Sequence, residues 1–112
     1  MGEEMNCRHK ELASGRWQKL SLSVQLANIG SEVSRALNWR KKDNEEYSRR
    51  AAARALELLD LSLDSTRSFP RLKELARLRE AVVDYFYGTN QFSSSEDLWR
   101  KYFDHFNFAA RK

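Results

Sequence analysis

From Leu22 onward, apolar residues return at steps of four and three: Leu22, Leu26, Ile29, Val33, then Ala36 and Leu37. A strand would scatter these positions over both of its faces, whereas a helix stacks them into one stripe. Punctuation is sparse throughout. Pro70 is the single proline in 112 residues and there are four glycines, a pattern that suits long helices with short connections. A helix with one apolar stripe must bury it against other helices, so the expected fold is all-α, an up-down antiparallel four-helix bundle. A chain of this length fits one domain that buries roughly two-thirds of the surface its unfolded form exposes.

The expected helices span approximately 17–41, 44–64, 70–87 and 94–110, in a single domain over 16–112 that follows a polar leader over 1–15. In the first helix, Trp17, Leu20, Val24 and Ala27 form a second stripe, so its N-terminal half is covered on two sides or holds a partner subunit. Gly30 borders the main stripe, where a missing side chain lets a neighbouring helix come close. Asp43 with Glu46 has the form of a capping box opening the second helix, and Ser93 with Glu96 repeats it before the fourth. The inner face of the second helix mixes Ser48, Ala51, Ala52, Ala55 and Ser62 with Tyr47, Leu56, Leu58, Leu59 and Leu63, a composition that favours close helix packing. Glu46, Arg50, Arg54 and Glu57 mark its solvated side. Pro70 suits the first turn of the third helix, which ends at Gly88. The fourth helix presents Leu98, Trp99, Tyr102, Phe103, Phe106, Ala109 and Ala110 as one broad, aromatic-rich core face.

The net charge of +4 is unevenly placed: residues 1–42 carry eight Lys/Arg against four Asp/Glu, and the remainder carries twelve of each. Arg40, Lys41 and Lys42 fall where the first helix ends, and capping its negative pole is the simpler role for them than a phosphate-binding patch. A single cysteine, Cys7, excludes an internal disulfide framework, and Cys7 with His9 lacks the further ligands of a zinc site, so no metal is expected. The acidic start has no secretory apolar segment, and no run approaches the roughly 18 apolar residues of a membrane span. These features point to a soluble, cytoplasmic protein. No glycine-rich phosphate loop, nucleophile elbow or HExxH is present, and no cofactor is implied.

Three charged residues stand out as site candidates. Arg79 projects near the middle of the apolar arc of the third helix, formed by Leu72, Leu75, Ala76, Leu78, Val82, Val83, Tyr85 and Phe86. It is expected to pair with a carboxylate of a neighbouring helix, with its stem packed among the leucines, and Arg79→Ala to lower thermal stability markedly. The functional alternative places Arg79 at a cleft or subunit interface. Arg100 and His105 lie five residues apart on the last helix, inside Leu98-Trp99-Arg100-Lys101-Tyr102-Phe103-Asp104-His105-Phe106.

This Arg-x-x-x-x-His pattern on the last helix of a small bundle resembles the signature of the HEPN family, short helical proteins that include metal-independent ribonucleases and partners of small nucleotidyltransferases. The resemblance implies that His105 would move a proton at an RNA 2′-hydroxyl and Arg100 would stabilise the charged phosphate. On a straight helix the two side chains point about 140° apart, so such a site requires a second subunit. The phrases Ser31-Glu32-Val33-Ser34-Arg35-Ala36-Leu37-Asn38-Trp39 and Ala55-Leu56-Glu57-Leu58-Leu59-Asp60-Leu61 also resemble those of short prokaryotic helical-bundle proteins to which no activity is attached. The expected function is a non-catalytic protein-interaction module, self-associating or docked on another protein, with Trp17, Leu20, Val24 and Arg79 as candidate contact residues. The alternative is action on RNA through Arg100 and His105.

Overall fold

The computed structural model describes residues 15–110, with side chains as far as Phe106. Expectations about the leader, including Cys7 and His9, lie outside the described residues, as do the side chains of Ala109 and Ala110. Among the described residues there are four α-helices and no strand: α1 (Leu22–Lys41), α2 (Glu45–Ser65), α3 (Phe69–Tyr87) and α4 (Glu96–Ala110). A short 3-10 turn, Trp17–Lys19, precedes them.

The first helix therefore starts five residues later than its periodicity suggests. Leu20 is extended at ψ 146°, and Ser21 is extended as the N-cap, its hydroxyl accepting from the Val24 amide at 3.2 Å. This break lets the chain fold Trp17 back against the end of α2. Both expected capping boxes are likewise displaced. Asp43 adopts a left-handed φ of 60° and closes α1, with the following Asn44 amide returning to the Trp39 carbonyl at 2.9 Å. Asn44 is the N-cap of α2, its side-chain oxygen accepting from Tyr47 N at 3.1 Å. Ser93 is also left-handed, and Ser95 caps α4 by accepting from Leu98 N at 3.2 Å. In both connections the first candidate cap is used for the reversal and a later polar residue caps the helix.

The helices alternate in direction. Gln25 meets Ser62 and Ala36 meets Ser48 across α1 and α2, while Asp60 meets Arg79 and Arg49 meets Tyr87 across α2 and α3. Ser34 meets Arg100 and Lys41 meets Glu96 across α1 and α4. Helix α1 has α2 on one side and α4 on the other, and α3 packs on α2. By contrast, the backbones of α3 and α4 scarcely approach each other.

The core follows the expected stripe of α1 and the small-residue face of α2. Leu26, Ile29, Val33, Ala36 and Leu37 are buried against Ala51, Ala52, Ala55, Leu58 and Leu59. Ser48 and Ser62 join them; Ser48 donates to the Ala36 carbonyl at 2.8 Å, a cross-link possible only where two helices run close. Tyr47, expected inside, lies at the start of α2 and is exposed, set edge-on against Trp39. On the α4 side, Gly30 supplies the close contact its position suggests: a Cβ built there would lie 2.8 Å from Cβ, Cγ and Cδ1 of Phe103.

Polar groups at the bottom of the bundle form a closed chain. The Trp17 Nε1–H donates to Ser62 Oγ at 3.0 Å, and Ser62 donates onward to Gln25 Oε1 at 2.8 Å. The Gln25 amide returns to the carbonyls of Trp17 and Leu20 at 3.0 and 3.2 Å. Glu32, also buried, is held by Arg35 at 3.2 Å and by Arg54 of α2 at 3.5 Å, so Arg54 is not simply part of a solvated face. Gln25 and Glu32 are polar members of the core that the apolar periodicity does not reveal.

Candidate functional site

Arg100 lies on the α1 side of α4, half-buried, and each nitrogen of its guanidinium donates to a group of its own chain. It donates to Glu96 Oε2 at 2.9 Å, to Ser34 Oγ at 3.1 Å and to Asn38 Oδ1 at 3.0 Å. The planar fork thus bridges two turns of α1 to one turn of α4. His105 is exposed, its ring edge-on to Phe106. The structure does not bring Arg100 and His105 together within one chain. Nor does Arg100 pair with Asp97 or Asp104, the acids flanking it most closely in sequence.

The Arg100 hydrogen bond, reinforced by Lys41 at 3.4 Å, holds the Glu96 carboxyl below the usual glutamate range. A carboxyl whose folded pKa is depressed stabilises the fold above its unfolded pKa, and that contribution is lost as pH falls through the folded value. The melting temperature of the native chain is therefore expected to drop more steeply below the ordinary glutamate pKa than that of Glu96→Gln. Parallel acid profiles for the two proteins would show that this pair carries no linkage.

Arg79 pairs with Asp60 of α2 at 2.8 Å, the neighbouring-helix carboxylate expected of it, but both side chains are substantially exposed, at 40% and 55%. The exposure of the pair lowers the stability expected from it. A pair this open is worth about 0.2–1 kcal/mol, so Arg79→Ala should lower the melting temperature by only a few degrees in a thermal denaturation series.

Trp17 is 1% exposed and belongs to the core, so it offers no contact surface. Leu20 packs against the same cluster and Val24 is half-buried. Of the expected second stripe, Trp17 and Leu20 are taken up by the core, while Val24 and Ala27 stay partly exposed on α1.

The three cations at the end of α1 are occupied as well, in a different way from the expected cap. Arg40 donates to the Tyr85 carbonyl at 2.8 Å and lies 4.6 Å from the Tyr85 ring centroid, neutralising the C-terminal pole of α3 in place of its own helix. Lys41 reaches Glu96, and Lys42 stands over Trp39 at 5.3 Å.

An apolar feature open to solvent lies elsewhere, between α3 and α4. Trp99 and Phe103, one turn apart, turn toward α1 and are buried. Leu98 and Tyr102 stand about 100° around the helix from that stripe and face the other side. Leu98, expected in the core, is 56% exposed because α3 does not close against it. The Tyr85 and Trp99 rings meet at 5.9 Å, while Tyr102 Oη donates to Glu74 Oε2 at 3.3 Å. Over the three residues from Trp99 to Tyr102, about 4.5 Å along α4, the contact on α3 shifts by eleven residues, about 16 Å. Two helices in side-by-side register would advance equally.

The gap is a groove of about 610 Å³, open to solvent, lined by Glu74, Arg77, Leu78 and Ala81 of α3, Ser94 of the connection, and Leu98, Trp99, Lys101 and Tyr102 of α4. Its surface is mainly apolar. Trp99 forms part of this lining and also of a cavity of about 50 Å³ between α1 and α4, and its Nε1–H finds no acceptor among the described residues. Burial pushes the Tyr102 hydroxyl well above the usual tyrosine range, with the Glu74 carboxylate adding to the effect, so it remains a neutral donor at the groove edge.

The connection that sets this spacing is itself well built. Asp84 accepts from Gln91 N at 2.7 Å and Phe92 N at 3.0 Å, while Asn90 and Ser94 exchange hydrogen bonds at 2.8 and 2.9 Å. The groove is not legible in the amino-acid order because Leu98 fits the helical stripe of α4 as well as its buried neighbours do. Among the described residues, no group of three His, Cys, Asp or Glu side chains is placed to hold a metal, and no helix is long and apolar enough to cross a membrane. Comparison of the chain with protein-family models, curated proteins and solved structures finds no match.

Proposed function

We propose that the chain is a non-catalytic helical protein-interaction module whose docking face is the groove between α3 and α4. The observation that carries this reading is the combination of an apolar groove with a half-exposed leucine at its wall, on a helix whose opposite stripe is already buried. Self-association through Trp17, Leu20 and Val24 loses most of its surface because Trp17 and Leu20 pack into the core, which leaves only the half-buried Val24. The groove calls instead for a separate partner. The ribonuclease alternative requires Arg100 to leave Glu96, Ser34 and Asn38 before it can meet a phosphate, and nothing in the arrangement supplies that release.

The test combines light scattering with incubation of total RNA. The native chain is expected to be monomeric at micromolar concentration and to leave RNA intact. Cleavage that disappears in His105→Ala would replace the module by the nuclease.

A further inference from the structure

The occupant of the groove can be narrowed by charge. Most cations of the described helices already have partners: Arg40 on a carbonyl, Lys41 on Glu96, Arg49 and Arg50 on carboxylates one turn earlier, Arg54 on Glu32, Arg79 on Asp60 and Arg100 on three acceptors. Among the few that do not, Arg77 and Lys101 border the groove. They stand on opposite walls of the groove, both exposed, and neither has an ion-pair or hydrogen-bond partner among the described residues. Lys73, also exposed and unpaired, lies one turn before Arg77 on the same side of α3 and extends that rim. Glu74, the carboxylate on this lining, is engaged by Tyr102.

We propose that the groove receives an amphipathic helix of a partner protein, with leucine-like residues along its buried stripe and Asp or Glu along both edges; this rests on the docking reading above. An apolar trough walled by two helices accepts the ridge of a third, and cations on both rims select acidic flanks. A second copy of the chain fits poorly. In a two-fold contact of groove on groove, two concave surfaces would meet, and Arg77 and Lys101 would face like charges.

Two synthetic fluorescent helices test the inference, both with leucines at i, i+4, i+7 and i+11, one flanked by glutamates and the other by lysines. Fluorescence anisotropy is expected to show the glutamate helix binding about tenfold more tightly, a preference that inverts in the Arg77→Glu/Lys101→Glu variant. Both substituted side chains are exposed, so circular dichroism should confirm an unchanged fold. Equal affinity for the two helices, lost in Leu98→Glu, would overturn the acidic partner and leave the groove as a docking face. Failure of both helices to bind would overturn the inference and the docking reading together. A dimer dispersed by Leu98→Glu would assign the groove to a second copy, and binding that appears only after removal of residues 1–14 would assign it to that segment; either outcome overturns the proposal.

Discussion

Replacing Gly30 by leucine is expected to destabilise the protein by about 3 kcal/mol, near the upper end of the cost of overpacking a core. In thermal denaturation this corresponds to a fall of roughly 12 °C or more for a domain of this size. The reason lies at the closest approach of α1 and α4, where a Cβ would overlap the Phe103 side chain, including its Cβ, which cannot swing away as a ring end can. The insertion also forces apart the helices joined by Arg100, so its hydrogen bonds to Ser34 and Asn38 should weaken with it. Glycine within a helix costs up to about 1 kcal/mol relative to alanine, so Gly30→Ala offsets part of its clash and should cost less than leucine. Pairing Gly30→Ala with Phe103→Ala, which removes the Cγ and Cδ1 that the new methyl meets, should give a loss smaller than the sum of the two single losses, the signature of a shared contact. Strict additivity would place the cost outside this contact.

The second large effect is expected at Trp17. Removing a buried tryptophan side chain costs about 3–5 kcal/mol, a large share of the roughly 5–15 kcal/mol that holds a domain together. Here Trp17→Ala also leaves Ser62 without its donor and opens the end of the bundle closed by the 3-10 turn. Trp17→Phe keeps most of the packing and removes only the hydrogen bond, for about 1 kcal/mol. Urea denaturation of the two variants separates these contributions. A loss below about 1 kcal/mol in Trp17→Ala would mean that the turn is not part of the folded core.

These two residues also show what can be read from the amino-acid order. Gly30 is legible: a glycine beside a regular apolar stripe has a packing consequence, and its neighbour is an aromatic of the last helix. The small-residue face of α2 is legible for the same reason, since alanines and serines at helical spacing have little other use than close approach. Trp17 is misleading. Its spacing to Leu20 and Val24 matches a helix, but Ser21 caps α1 and redirects the preceding residues, so periodicity continues across a break in structure. Asp43 and Ser93 fail as caps because both adopt left-handed conformations in the reversals, a choice that depends on how far the chain must travel between helices.

The candidate site was less visible than the fold. Arg100 was identifiable as unusual, but its acceptors, Ser34 and Asn38, lie more than sixty residues away in sequence on a surface of α1 that carries no pattern of its own. Leu98 reads as core in any helical projection of α4. Its exposure follows from the placement of α3, which is set by packing on α2 and by the Asp84 and Asn90 hydrogen bonds in the connection. No local signal in α4 encodes that distance. The unpaired state of Arg77 and Lys101 is likewise a property of the assembled groove, since each has acidic residues nearby in sequence.

The most direct test of the docking account is the set of three tryptophan indole signals in a nitrogen-proton correlation spectrum, assigned by Trp→Phe substitutions and followed while the glutamate-flanked helix is added. Trp99 lines the groove, Trp17 is sealed in the core and Trp39 stands edge-on to Tyr47 at the start of α2. The account predicts that the Trp99 signal moves to saturation while those of Trp17 and Trp39 stay in place. A saturating shift of Trp17 or Trp39 with Trp99 unmoved would contradict it.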